Sequence, residues 1–457
     1  MCIERANNRR TFLKLFGALG AAAAASPLYR ALAGPTSDAT NEFFVFIHAQ
    51  GGWDVTLGLD PRNEKTGLIV PATTKSLDYA SLTRWENDSV AIDGDGYSFK
   101  PVQPSGSKIV FGPAIGDLAN HYDRLAVING LAVNTVSHPD GTVFAATGRH
   151  LAGGRVAATS VDTMMANEFG VSQLFPAVSV RFPSSFVGSN LDRRAMPLLV
   201  DSIGSMGKSL VRSTRYELPD DRNEVTSMLT DEANDLASHA ADPSAWKGFG
   251  LQFASLQKMV GGPVQALLDS KQLMIAQPSF DYAGKYMGPF ATNAAFAVEA
   301  MKQNLVRSVA FAMGSFDTHG ADYTEQGMKQ QEMFNIISKL IEVLDVTPHP
   351  TKPSDKLADH THIMVVSEFC RTPQINLGGG RDHYPNGSAL VISPRFKGNV
   401  VHGGSDPEQL LPKVTRTFVD GDRSIAPPDV LATFLSAFGV DPRKYMRDGE
   451  PVPEMLK

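Results

Sequence analysis

Cysteine is almost absent: the 457 residues contain two, Cys2 and Cys370. So few cysteines leave no Cys-x-x-Cys pair, no haem-attachment Cys-x-x-Cys-His and no iron–sulfur spacing. A disulfide framework is excluded on the same count. Excess positive charge is also missing. The 42 basic and 48 acidic residues sum to −6, which argues against nucleic acid or an anionic membrane surface as the main partner. No clear Gly-x-Gly-x-x-Gly follows a strand pattern, so a dinucleotide or flavin site is not indicated. Beyond the N-terminal region no stretch is long and apolar enough to span a bilayer of about 30 Å. Internal repeats and long low-complexity tracts are absent. With the redox signatures gone, His, Asp and Glu are the remaining candidates for metal ligands.

What is present begins at the N-terminus. Residues 7–14 read Asn-Asn-Arg-Arg-Thr-Phe-Leu-Lys, with Arg9 and Arg10 adjacent. A weakly apolar run, Leu15 to Ala25, follows, and Ala31-Leu32-Ala33 offers a small-x-small cleavage site before Gly34. A charged start, a short apolar run and a small-residue cut site make up a secretory signal, and the paired arginines indicate its twin-arginine form. Residues 1–33 are therefore expected to be an export signal read by the twin-arginine translocase, and the protein is expected to be periplasmic or secreted, with no stable membrane anchor. Removing that segment takes away five basic residues and one acid and moves the net charge from −6 to −10. Cys2 leaves with it, so Cys370 stands alone.

The remainder, 34–457, reads as one α/β domain. Phe43 to Ile47 is a continuous apolar run of β-type residues, the pattern of a strand buried on both faces. Leu125–Val133, Phe175–Phe182, Val309–Met313, Ile363–Val366 and Ser388–Ile392 are further strands. Residues 61–108 suit a decorated loop with a small hairpin, and Asp93-Gly94-Asp95-Gly96 suits its turn better than a calcium loop. A segment at about 220–308 is mostly helical in pattern. Met328, Met333, Ile336, Ile337, Leu340, Ile341 and Leu344 share one face of a following helix. A terminal helix opens at Pro427-Pro428-Asp429. Strands alternating with helices, with polar residues just past the strand ends, predict a doubly wound, mostly parallel sheet with helices on both faces and a ligand site outside the strands' carboxyl ends.

Four strand ends carry polar clusters. Gly51-Gly52-Trp53-Asp54 could bring Asp54 to a metal, or form a glycine turn closed by an Asx hydrogen bond. Ser137-His138-Pro139-Asp140-Gly141-Thr142 opens a helix, where orphan N–H groups can stabilise an oxyanion, or where Ser137 is simply an N-cap. In Asp317-Thr318-His319-Gly320 a carboxylate and an imidazole two apart can reach one metal of the zinc, manganese or iron type. Glu368 ends a buried apolar strand, where an unpaired carboxylate is costly. Beyond it, Arg371 and Arg381 are forks for an anionic group or members of a structural ion-pair network. His48, His360 and His362 are read as packed or structural, and Cys370 as a buried thiol.

At these clusters the sequence resembles the DUF1501 family. The resemblance rests on Gly-Gly-Trp-Asp, on Asn-x-x-Ser-His running to Thr147-Gly148, on Phe-Asp-Thr-His-Gly, and on Ser-Glu-Phe-x-Arg-Thr-Pro with Gly-Arg-Asp-His. That family in turn is similar to the alkaline phosphatase and sulfatase superfamily, which implies an alkaline phosphatase-like fold. The resemblance implies Asp54 as the first metal ligand and Ser137 or Thr142 as nucleophile. Asp317 and His319 match a ligand pair, Glu368 the later acidic ligand, and His383 the distal ligand. Phe369 stands where a histidine usually follows that acid, and His138 is the candidate to replace it. The expected function is hydrolysis of a phosphate or sulfate ester, an anionic substrate, assisted by one or two divalent ions (zinc, manganese or calcium). The alternative expectation is a non-catalytic binding or assembly protein on the same fold.

Overall fold

The structure is a computed structural model. It describes residues 41–62, 91–93, 96–98, 101–210, 288–314, 316–320, 322–374, 376 and 380–457, with some helical residues between 224 and 239. The expected export segment and most of the 220–308 stretch lie outside the described residues.

Eight strands form the main sheet: β1 (Phe43–Ala49), β2 (Leu125–Ala132), β3 (Phe175–Val180), β4 (Leu198–Val200), β5 (Val306–Met313), β6 (Thr361–Val366), β7 (Asn386–Ile392) and β8 (Val400–Gly403). Their order is β8-β2-β7-β6-β1-β5-β3-β4. Seven run in one direction, and β7 alone is antiparallel to its neighbours β2 and β6. The helices are α1 (His138–Thr147), α2 (Val161–Phe169), α3 (Ile203–Leu210), α4 (Pro289–Lys302), α5 (Asp322–Val346) and α6 (Pro427–Ser436). Among the described residues no helix is long and apolar enough to cross a membrane.

Central β1 explains its own sequence. Side chains alternate across a strand. Phe43, Val45 and Ile47 pack with Phe296 of α4 and Ile337 and Leu340 of α5. Phe44 and Phe46 pack on the other face with Phe144 of α1, Met164 of α2 and Phe434 of α6. Both faces are covered, so every position must be apolar and alternation with polar residues disappears. At about 1.5–3 kcal/mol per buried side chain, this run is a principal source of cohesion.

Several boundaries differ from the pattern-based expectation. The strand expected at Val309 begins at Val306, inside the stretch read as helical. The helix α1 begins at His138 with Ser137 at its N-cap position, and Pro139 is tolerated in its first turn because it lacks only an N–H that would be orphaned anyway. Met328 is 41% exposed and lies off the core face of α5. Ala91–Asp93 and Gly96–Ser98 pair as the expected hairpin.

Because β1, β2, β5 and β6 point the same way, their carboxyl ends lie along one edge of the sheet. The segments Gly51–Asp54, Ser137–His138, Asp317–His319 and Ser367–Glu368 all leave from it. Antiparallel β7 starts at that edge. The two-residue strand His383–Tyr384 just before it pairs with Cys370–Arg371, which carries His383 to the same place.

Candidate metal centre

The loops meet at van der Waals contact, and glycine permits it. Gly51 has φ +120°, and a Cβ there would fall 2.4 Å from Asp317 N. Gly141, in the first turn of α1, has no room for a Cβ either: it would sit 2.7 Å from the Glu368 carbonyl oxygen and 3.2 Å from the Phe369 ring. The start of α1 is thereby pressed against the end of β6.

Three imidazoles and one carboxylate converge there. His138 Nε2 is 2.9 Å from His383 Nε2, and His319 Nε2 is 3.1 Å from the same atom. Asp317 Oδ1 lies 3.4 Å from His138 Nε2, 3.1 Å from His319 Nε2 and 3.4 Å from His383 Nε2. The donor atoms of His138, Asp317 and His383 lie within 4.8 Å of one another. The side chains of His319 and Asp317 are 50% and 48% exposed, so the cluster opens to solvent.

Each ring is gripped by its other nitrogen. His138 Nδ1 is 2.8 Å from Glu368 Oε1, and His319 Nδ1 is 2.7 Å from Asp382 Oδ1. His383 Nδ1 is 2.8 Å from the Val136 carbonyl oxygen. Those oxygens can only accept, so in the neutral rings the proton sits on Nδ1 and the bare lone pair on Nε2. The lone pairs of His138 and His383 and the anionic oxygen of Asp317 then face one point, with the His319 lone pair beside the last two, an arrangement that repels itself unless a cation lies among them. A tetrahedral ion with bonds near 2.0–2.1 Å separates its ligands by about 3.3 Å, and the observed spacings of 2.9–3.4 Å bracket that value. Phe369 is fully buried under the cluster, its ring centroid 4.7 Å from those of both His138 and His383. Phe369 therefore forms a floor beneath the His138 and His383 rings.

Glu368 is turned away from the centre. Its Oε1 accepts from Gly51 N–H at 2.8 Å and from His138, while Oε2 accepts from Ser367 Oγ at 3.1 Å and faces His48 Nε2 at 3.2 Å. Burial alone would raise its pKa, but hydrogen bonds from His138 and His48 hold the carboxyl well below its usual range. The same hydrogen bond, donated by His138 to Glu368, raises the His138 imidazole. At Asp317, burial is outweighed by Arg371, whose Nη2 donates to Oδ1 at 2.7 Å, and the carboxyl is lowered. At Asp382, the hydrogen bond from His319 lowers it.

Two expected site residues, Asp54 and Arg381, are not brought to the cluster, and Arg371 meets it only through Asp317. Asp54 is fully buried in an Asx turn: Oδ1 accepts from Thr56 N and Oγ1 at 2.9 and 2.7 Å, and Oδ2 lies 3.2 Å from Arg381 Nε. Arg381 and Arg371 are also fully buried. Arg381 donates to the carbonyls of Thr372 and Pro373, both at 2.9 Å. Arg371 donates to the carbonyls of Gly51, Gly52 and Arg381 as well as to Asp317. A buried guanidinium must satisfy its donors internally, so both clamp the loops instead of presenting forks to an anion. Of the two candidate nucleophiles, Ser137 is the exposed N-cap of α1 and its hydroxyl makes no capping bond. Thr142 is half-buried one turn further along. Asp382 is the part that sequence reasoning missed, and its only local signal was adjacency to His383. His48, read as packed, is buried behind Glu368.

Comparison with known proteins adds a family and little else. A family model described as "Protein of unknown function (DUF1501)" matches residues 208–453. No curated protein matches. One solved structure, described as a crystal structure of Ps i-CgsB in complex with k-i-k-neocarrahexaose, is similar at 11% identity over 88% of this chain and 73% of that one, with a TM-score of 0.32. A likeness at that score carries no argument about fold or ligand.

Proposed function

This chain belongs to the DUF1501 family, and from that premise we propose that it is an exported, metal-dependent hydrolase of phosphate or sulfate esters on an alkaline phosphatase-like variant of the doubly wound sheet. The observation that carries the reading is the convergence of the His138 and His383 Nε2 lone pairs with Asp317 Oδ1, and of His319 Nε2 beside the last two, at the carboxyl edge of the sheet, open to solvent. Three nitrogens and one carboxylate oxygen suit zinc or a similar d-block ion. Calcium, which takes six to eight oxygens, is served poorly. His138, His319, His383 and Asp317 would hold the ion, which when bound would lower the pKa of a coordinated hydroxyl or water and polarise the ester. Ser137, at the start of α1 next to His138 and without a capping hydrogen bond, would be the attacking side chain, with the orphan N–H groups of that helix beside it. Arg371 acts indirectly, by holding the Asp317 carboxylate ionised and aimed.

The second reading is a non-catalytic periplasmic protein in which the ion braces the loops. Two observations favour it. Four protein donors suffice to close a tetrahedron, the habit of structural zinc. The two arginines expected to receive an anion are buried and spent.

Metal analysis of protein purified without chelator, paired with turnover of a chromogenic phosphate or sulfate ester, separates the readings. The hydrolase reading expects one equivalent of a d-block ion, lost in Asp317→Ala and His383→Ala, and ester turnover lost with it. Bound metal with no turnover of either ester class transfers the case to the structural reading. Absence of metal after reloading with zinc, manganese or calcium ends both.

A further inference from the structure

The carboxylates around the centre divide into one that faces the cation and two that do not. Glu368 is fully buried and has four acceptor positions, two per oxygen. Gly51 N–H and His138 Nδ1–H take those of Oε1, while Ser367 Oγ, which also lies 2.6 Å from the Ala49 carbonyl oxygen, and His48 Nε2 at 3.2 Å crowd Oε2. Both positions of Oε1 are taken, so the oxygen nearest the centre is committed to His138 and Gly51. Asp382 stands in the same relation to His319, with Oδ1 2.7 Å from Nδ1. The third ring, His383, is held by the Val136 carbonyl and needs no acid.

We infer that Glu368 and Asp382 are positioning residues: they fix His138 and His319 in the tautomer that carries its proton on Nδ1, so that both Nε2 lone pairs are aimed at one cation. This rests on the metal-centre reading above. The physical reason is that a neutral imidazole has one proton and two places for it. An acceptor locked behind Nδ1 chooses the place, prevents ring flipping and makes Nε2 a stronger donor. His48 completes the device from beneath. Its ring is 1% exposed, and its Nε2 meets the Glu368 oxygen that faces away from His138. Glu368 therefore cannot swing toward the ion without abandoning His48 and Ser367. A position that the sequence presents as a metal ligand becomes the anchor of a ligand.

The test reads two quantities that do not depend on turnover. In metal-free protein with 15N-labelled histidine, long-range 1H–15N correlation spectra identify the tautomer of each ring. His138 and His319 are expected as Nδ1–H in wild type. His319 is expected to move toward the Nε2–H form or a mixture in Asp382→Asn, and His138 to do the same in Glu368→Gln. Cobalt(II) titration is expected to show each variant binding roughly 10–100-fold more weakly, with an altered visible band. Asp382 is exposed, so Asp382→Asn tests the idea even if the buried Glu368→Gln does not fold. Unchanged tautomers together with wild-type cobalt affinity in Asp382→Asn overturn the inference. A wild type that binds no cobalt overturns the metal-centre reading instead, and the tautomer spectra then still decide whether the two acids set the rings.

Discussion

At the scale of the residue, the molecule separates acids that look alike in sequence. Asp54 and Asp317 each follow the end of a central strand, yet one braces and the other faces the cluster. Asp54 is fully buried with every partner internal: Thr56 on one oxygen and Arg381 on the other. Removing it strands the buried Arg381 guanidinium, and breaking such a pair costs about 3–5 kcal/mol. Asp54→Ala is therefore expected to lower the urea midpoint strongly. Protein that does fold should keep its metal stoichiometry. Asp317→Ala, at a side chain 48% exposed, should do the reverse and lose the ion at a small cost in stability. Metal content and urea melts of the two variants check the division, and equal loss of metal in both would reinstate Asp54 as a ligand.

At the scale of the element, the decisive piece is α1. Ser137 caps it with extended backbone, Pro139 occupies its first turn, and Gly148 ends it in the left-handed region at φ 71°. These are helix punctuation marks that can be read locally. Gly141 is not, since glycine inside a helix costs about 1 kcal/mol relative to alanine. Its reason lies across the interface, where a Cβ would meet the Glu368 carbonyl at 2.7 Å. Gly141→Ala should improve helix propensity yet destabilise the protein, because α1 must back away from β6. It should also weaken metal binding, because His138 rides on that helix. A variant that is both more stable and equally tight for cobalt would show that the contact is soft. The helix long expected after β5 is the opposite case. Met333, Ile336, Ile337, Leu340, Ile341 and Leu344 are all buried as their spacing foretold, because a core-facing stripe is periodic and periodicity is visible without a partner.

At the scale of the whole molecule, the two ends of the sheet do different work. The carboxyl edge carries the imidazole cluster, and the amino edge is pinned electrostatically. Glu42, just ahead of β1, accepts from His362 Nε2 at 2.6 Å and Arg395 Nη2 at 3.0 Å, with His360 Nδ1 3.7 Å away. Burial would raise its pKa, but His362 and Arg395 outweigh it and hold the carboxyl at about 2, against an ordinary 4.5. The folded state thus keeps this carboxylate ionised to lower pH than the unfolded chain does. Its contribution is complete above pH 4.5, declines as pH falls further and is gone below about 2. Urea midpoints measured from pH 6 to pH 3 should fall more steeply for wild type than for Glu42→Gln; parallel curves would mean that the pair does not govern acid stability. With the amino edge anchored this way, acid should loosen the entry of β1 independently of the metal centre at its far end.

The α/β class, the mostly parallel sheet covered on both faces, and the strand ends that carry the polar clusters were determined by the sequence itself. Runs such as Phe43–Ile47 and the stripe on α5 encode burial through local periodicity, and Gly, Pro and Ser mark where elements start and stop. The short strand Leu198–Val200 and the antiparallel direction of Asn386–Ile392 had no such signal. Strand direction depends on the partner, and two or three residues hold no period. Within the site, the sequence picked out His138, Asp317, His319 and His383 as ligand types, but only the tertiary structure decided that Glu368 stands behind His138 and that Asp54, Arg371 and Arg381 clamp loops. The role of a buried carboxylate or guanidinium is set by which donors and acceptors surround each of its atoms. Here they come from far along the chain: Gly51 and Glu368 are 317 residues apart, and His138 and Glu368 are 230 apart.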